Sequence, residues 1–85
     1  MSDLTSLRNI GTEMARKLTA VGIDSAEKLV ETGSKQAFFQ LKEVFPQVCL
    51  VHLYTLEGAI TSTDYNRLSE EKKKELKEFS DLLKN

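Results

Sequence analysis

The chain reads as all-α: a compact bundle of about five or six short helices with a helix-hairpin-helix-like N-terminal half. Three observations predict this. Apolar residues recur at helical spacing along most of the sequence, and no segment shows the strict apolar–polar alternation of a half-buried strand. Proline occurs once, at Pro46, so little interrupts helical backbone. Between Leu7 and Gly33 the order is a tight Gly-containing turn, a short helix, a Gly-Ile break and a second short helix.

The first full helix is expected over Thr12 to Ala20, opening after the turn Leu7-Arg8-Asn9-Ile10-Gly11. Met14, Ala15, Leu18 and Val21 make one apolar stripe. Thr12 and Glu13 place a polar residue and a carboxylate at the positive end of the helix dipole. Gly22 is a left-handed stop, and Ile23 after it folds back on the helix in a Schellman-type end. Only six residues precede Leu7, so the first arm of the hairpin must be very short.

A second helix follows over Ser25 to Thr32, capped by Asp24 or Ser25, with Ala26, Leu29 and Val30 inward and Gly33 at its end. Ser34 is read as the cap of a third helix, Lys35 to Val44, with Ala37, Phe38, Leu41, Val44 and Phe45 inward. Pro46 ends it, because the residue before proline avoids helical geometry.

The fourth helix, Gln47 to Glu57, is apolar nearly all round: Val48, Cys49, Leu50, Val51, Leu53, Tyr54 and Leu56. A helix without a polar face is either central in the core or covered by a partner chain. Gly58 is read as its stop and Ala59 to Ser62 as a loop, with a single turn from Ser62 or Thr63 through Leu68. Ser69 opens the last helix, Glu70 to Leu83, in a capping-box-like Ser-Glu-Glu-Lys run. Leu76, Phe79 and Leu83 form its inner stripe. With 85 residues, 40% of them hydrophobic, and no repeat or linker, residues 1–85 make one domain with one core.

Composition narrows the function classes. The 12 basic and 13 acidic residues leave a net charge of −1, which argues against a strong nonspecific nucleic-acid binder. The single cysteine, Cys49, allows no internal disulfide and fits a reducing compartment. The segment Met1-Ser2-Asp3-Leu4-Thr5 lacks the basic and apolar regions of a signal peptide. The apolar run from Val48 to Leu53 is too short to span a bilayer. The expectation is a soluble, cytoplasmic chain with no membrane contact.

The turn carries the main functional candidate. A turn that opens onto a helix N-terminus exposes unpaired backbone amides, which together with the helix dipole can hold a phosphate. Asn9, Ile10, Gly11 and Thr12, with Arg16 and Lys17 one turn into the helix, are the candidate nucleic-acid contacts. Asn9 tolerates left-handed backbone better than other residues with a side chain. Against this, the charges from Met1 to Lys35 balance: Arg8, Arg16, Lys17, Lys28 and Lys35 oppose Asp3, Glu13, Asp24, Glu27 and Glu31. The turn serves equally well as a plain connection between two packed helices.

Other candidates are weaker. Cys49 and His52 have the i, i+3 spacing of two metal ligands, but no second Cys or His exists to complete a zinc site. The same pair lacks an orienting carboxylate for nucleophilic catalysis. The run Glu70 to Glu78 mixes acids with Lys72, Lys73, Lys74 and Lys77, the pattern of a solvated helix face. Glu57, Asp64 and Tyr65 read as polar loop residues. No catalytic residue, metal or cofactor is expected.

Taken in order, these landmarks resemble the C-terminal domain of the TfoX/Sxy family of bacterial competence regulators. That pattern has a Leu-x-Asn-Ile-Gly turn, a later Gly-Ile, a central apolar helix ending in Leu-x-Gly-Ala-Ile, and a closing Leu-Ser/Pro segment with Lys and Leu. Here these are Leu7 to Gly11, Gly22-Ile23, Leu56-Glu57-Gly58-Ala59-Ile60, and Leu68 to Leu76. In this light Asn9 is the family's own choice in the turn. The resemblance implies a small helix-hairpin-helix-like domain associated with regulating DNA uptake and transformation genes. It brings no catalytic residues. Members often carry an N-terminal domain of similar size, which this sequence does not contain. The implied function is a non-enzymatic regulatory module that contacts DNA through the turn. The alternative is a protein-interaction domain or homodimer, joined through the apolar fourth helix.

Overall fold

The computed structural model describes residues 4–83, and all their regular structure is helical. A 3-10 turn, Leu4–Ser6, precedes helices α1 (Thr12–Ala20), α2 (Ala26–Thr32), α3 (Ser34–Val44) and α4 (Leu50–Thr61). A second 3-10 turn, Tyr65–Arg67, leads to α5 (Glu70–Leu83). The all-helical expectation holds, and the first arm of the hairpin is indeed a single turn. The signal-peptide reading rests partly on residues 1–3, which lie outside the described residues.

Local chemistry explains most boundaries. At the end of α1 the Ile23 amide donates to Leu18 O at 2.9 Å and the Gly22 amide to Thr19 O at 3.0 Å, with Gly22 at φ +89°. These two bonds make a full Schellman motif, and Ile23 is buried beside Leu18 in the core. Ser25 caps α2 by accepting the Lys28 amide at 3.1 Å, and Ser69 caps α5 by accepting the Lys72 amide at the same distance.

Gly33 alone joins α2 to α3, at φ +87° and ψ 156°. That region is essentially restricted to glycine, so the joint tolerates no side chain. Ser34, expected as the cap of α3, is instead its first helical residue. Its hydroxyl is buried and donates to Glu57 Oε1 at 2.6 Å, tying α3 to α4.

The fourth helix departs most from expectation. Pro46 and Gln47 form a turn closed by the Val48 amide on Phe45 O, so α4 begins at Leu50 and not at Gln47. Lys42 holds that turn by donating to Pro46 O at 3.3 Å and Val48 O at 2.8 Å. At the other end Gly58 does not stop the helix. The backbone continues through Ala59, Ile60 and Thr61 and ends at Ser62, which takes the left-handed conformation, φ 57°.

Helix α4 packs against α3, α5 and the 3-10 turn Tyr65–Arg67. Leu53, Leu56 and Ala59 are buried in it, which makes it the central helix of the bundle. Val51 is the exception, 52% exposed. The core combines Leu4, Ile10, Leu18, Ile23, Leu29, Phe38, Leu41, Val48 and Leu76 with these residues. Val30 and Val44, expected inward, are exposed. Leu29 fills the one inward position that the seven-residue α2 offers, which turns its neighbour Val30 outward. Val44 is the last residue of α3, where the chain turns away.

No described helix is long and apolar enough to cross a membrane.

Candidate functional site

The turn that the sequence singled out is built as a bracket between α1 and the far end of α4. Asn9 sits at φ +72°, the left-handed conformation its side chain tolerates. Its Nδ2 donates to Thr63 O at 3.0 Å, across 54 residues of sequence. Arg8 adds an ion pair with Asp64 at 3.0 Å, half exposed and therefore of little energetic weight. Ile10 is buried, so its side chain anchors the turn in the core and offers no contact outside it.

Gly58 explains the fit. A Cβ built on it would run into Asn9 Nδ2 and Thr63 O, and would stand 3.3 Å from the Tyr65 amide nitrogen. The glycine is there because the turn and the 63–65 segment lie directly on the helix.

Gly11 precedes α1 as an extended N-cap with no side chain to satisfy the first-turn amides, and Gly11, Thr12 and Glu13 are exposed. Arg16 pairs with Glu13 three residues earlier. That guanidinium holds the Glu13 carboxyl below the usual carboxylate range, first through its hydrogen bond and then through its charge. Lys17 makes no ion pair among the described residues. Its ammonium lies 5.7 Å from the centroid of the Phe45 ring.

Gly11, Glu13 and Lys17 open onto a cleft of about 350 Å³ between α1 and α4. Asn9, Gly11, Glu13, Met14 and Lys17 form one wall, Val51, His52 and Thr55 the other, and Tyr65 the end. Of the six residues the sequence reading put in one site, Asn9, Gly11 and Lys17 line this cleft, and Ile10, Thr12 and Arg16 do not. It did not join to that site Val51, His52, Thr55 and Tyr65, which come from distant segments. Val51 was among the apolar residues of the fourth helix that the sequence offered to a partner, but only the fold shows that it faces outward.

The Cys49–His52 pair makes a helix cap. The Cys49 amide donates to His52 Nδ1 at 3.0 Å, and Cys49 Sγ lies 3.6 Å from the same nitrogen. With Nδ1 accepting, the neutral ring carries its proton on Nε2. Burial, and next the charge of Lys17, holds the imidazole below its ordinary value. No group of three or more His, Cys, Asp or Glu placed to hold a metal occurs among the described residues.

A pH test follows from this geometry. The unfolded chain binds the proton at an ordinary pKa of 6.5 and the folded chain binds it less readily. His52 therefore contributes stability that is complete above 6.5 and lost as pH falls through the lowered folded value. The urea midpoint should begin to drop as pH falls below 6.5 in the native chain and stay flatter in His52→Gln. A second loss, below about pH 4.5, belongs to Glu13 and Glu75, whose carboxyls their Arg16, Lys35 and Lys72 partners hold down, and it should persist in the variant.

Residues 1–80 match the TfoX C-terminal domain. The chain belongs to the TfoX C-terminal domain family. Two solved structures from Listeria monocytogenes are similar to this TfoX C-terminal domain. One is an uncharacterized protein in a triclinic crystal form, 39% identical with a TM-score of 0.94, covering 96% of this chain and 93% of that one. The other is a protein of unknown function in a tetragonal form, 40% identical with a TM-score of 0.92, covering 95% of this chain and 99% of that one. No curated protein matches the chain.

Proposed function

We propose that this TfoX C-terminal domain is a non-enzymatic regulatory module of the competence-regulator kind, acting through protein contact at the α1–α4 face. The observation that carries the reading is the company Lys17 keeps. Two of the exposed large apolar residues, Val51 and Tyr65, line the same cleft as this cation. Apolar surface beside a few fixed polar groups is the composition of a recognition site.

A second reading keeps duplex DNA as the partner of Asn9, Gly11, Thr12, Arg16 and Lys17. It is favoured by the exposed α1 N-terminus, whose first-turn amides lack a side-chain cap. It is weakened because Arg16 already pairs with Glu13 and the Asn9 amide is turned toward Thr63.

Fluorescence anisotropy with a labelled duplex at low salt separates the two. DNA contact predicts binding that weakens with added salt and on Arg16→Glu or Lys17→Glu. No binding at low salt removes the DNA reading. Protein contact predicts a partner retained from native extract after nuclease treatment and lost on Val51→Ser. A partner released by nuclease counts against it. Sedimentation distinguishes a heterologous partner from a second copy of the chain.

A further inference from the structure

The groups lining the α1–α4 cleft are unequal in what they still have to offer. Glu13 is its one carboxylate and is engaged by Arg16. Lys17 has an aromatic ring beneath it and makes no ion pair among the described residues; its charge is felt at the Glu13 carboxyl, but that carboxylate is held by Arg16. His52 has Nδ1 occupied and its Nε2 proton left over. The Tyr65 hydroxyl has no partner among the described residues. The unsatisfied chemistry is therefore donor-rich and cationic, and it lies beside the apolar surfaces of Met14 and Val51. At about 350 Å³ the cleft is within the usual range of about 300–1,000 Å³ for small sites.

We infer that this cleft receives an acidic–apolar peptide segment of a partner protein: a carboxylate meets Lys17 and a neighbouring apolar side chain lies on Met14 and Val51. The inference rests on the protein-contact reading and names the class of partner. Charge complementarity favours a peptide over a nucleic acid. A duplex carries a phosphate charge about every 1.7 Å of its axis, so it would also set charges beside the Glu13 carboxylate. A peptide brings one carboxylate and leaves the rest of the contact apolar.

The probe is a random dodecapeptide library displayed on phage and selected against the intact chain. His52 is the only histidine, so its ring protons give an unambiguous NMR reporter inside the cleft. The expected result is enrichment of peptides that pair Asp or Glu with a large apolar residue. Their binding should shift the His52 signals and weaken about tenfold in Lys17→Glu, and peptides with Lys in place of the acid should bind that variant better. Val51→Ser, a change at an exposed position, should weaken binding without altering the charge preference. An absence of enriched peptides overturns the inference. Enriched peptides that leave the His52 signals and the Val51→Ser affinity unchanged also overturn it. That last outcome would overturn the α1–α4 contact reading as well, whereas enriched peptides that shift the His52 signals and need Val51 but carry no acidic residue overturn only the inference and leave that reading standing.

Discussion

Replacing Gly58 with alanine is expected to destabilise the domain by about 2 kcal/mol, although the position lies inside a helix. Helix propensity alone predicts the opposite sign, because alanine is favoured over glycine in a helix interior by about 1 kcal/mol. The deciding fact is what the new methyl group meets. Asn9 Nδ2 and the Thr63 carbonyl already occupy its place, and the Tyr65 amide nitrogen is 3.3 Å away. Asn9 can swing aside at the cost of its bond to Thr63, about 1 kcal/mol. The carbonyl belongs to backbone that is itself held by the Thr63 amide on Gly58 O at 2.8 Å, so it yields only if the 63–65 segment lifts. Overpacking of this kind costs about 1–3 kcal/mol. Thermal unfolding measures the sum, at roughly 4–8 °C per kcal/mol in a domain of this size. A Tm equal to or above that of the native chain would show that the helix gain prevails and the segment is free to move.

Gly58 also shows where sequence reasoning reaches its limit. A glycine at the end of an apolar run reads as a helix stop, because conformational freedom is its commonest use. Here the reason is close approach by segments 49 residues before and 5 residues after, which no local pattern contains. The same distinction sorts the other elements. Gly22-Ile23 was legible, since the Schellman motif is a local device with a local signature. Ser69 was legible as a cap for the same reason, and Ser25 as one of two candidates with Asp24. The start of α4 was not, because Cys49 with His52 is an unusual cap and Val48, though outside the helix, carries the same apolar character.

The candidate site divides in the same way. Gly11 and the α1 N-terminus could be read from sequence, because turn chemistry and helix polarity act over a few residues. The opposite wall, Val51, His52, Thr55 and Tyr65, depends on where the fold sets α4 and the Tyr65–Arg67 turn relative to α1. Arg16 and Lys17, adjacent in sequence and read together as phosphate contacts, have separate surroundings. One is tied to Glu13 and the other stands over Phe45. Side-chain partners three residues back on the same helix are predictable in principle. A ring brought in from the end of α3 is not.

Asn9 is the other residue on which the bracket depends, and Asn9→Ala is expected to cost about 2–3 kcal/mol. Two losses add. Alanine lacks the local hydrogen bonding that lets asparagine hold φ +72°, and a left-handed backbone costs such a residue about 1–2 kcal/mol. The bond from Nδ2 to Thr63 O, about 1 kcal/mol net, is also gone. Asn9→Gly separates the terms, because glycine accepts the backbone and loses only the bond, so it should cost about 1 kcal/mol. Equal losses in the two variants would mean that the backbone conformation carries no strain. The double variant tests the contact with Gly58 directly. Without the Asn9 amide one of the two obstructions to a Cβ at position 58 disappears, so Gly58→Ala should cost less in an Asn9→Ala background than alone. Strict additivity in urea unfolding would show that the two residues do not share the space between the turn and α4. If the coupling is present, the turn is held by a contact that faces α4, and its outer edge at Gly11 and Thr12 is free to meet a partner without disturbing the fold.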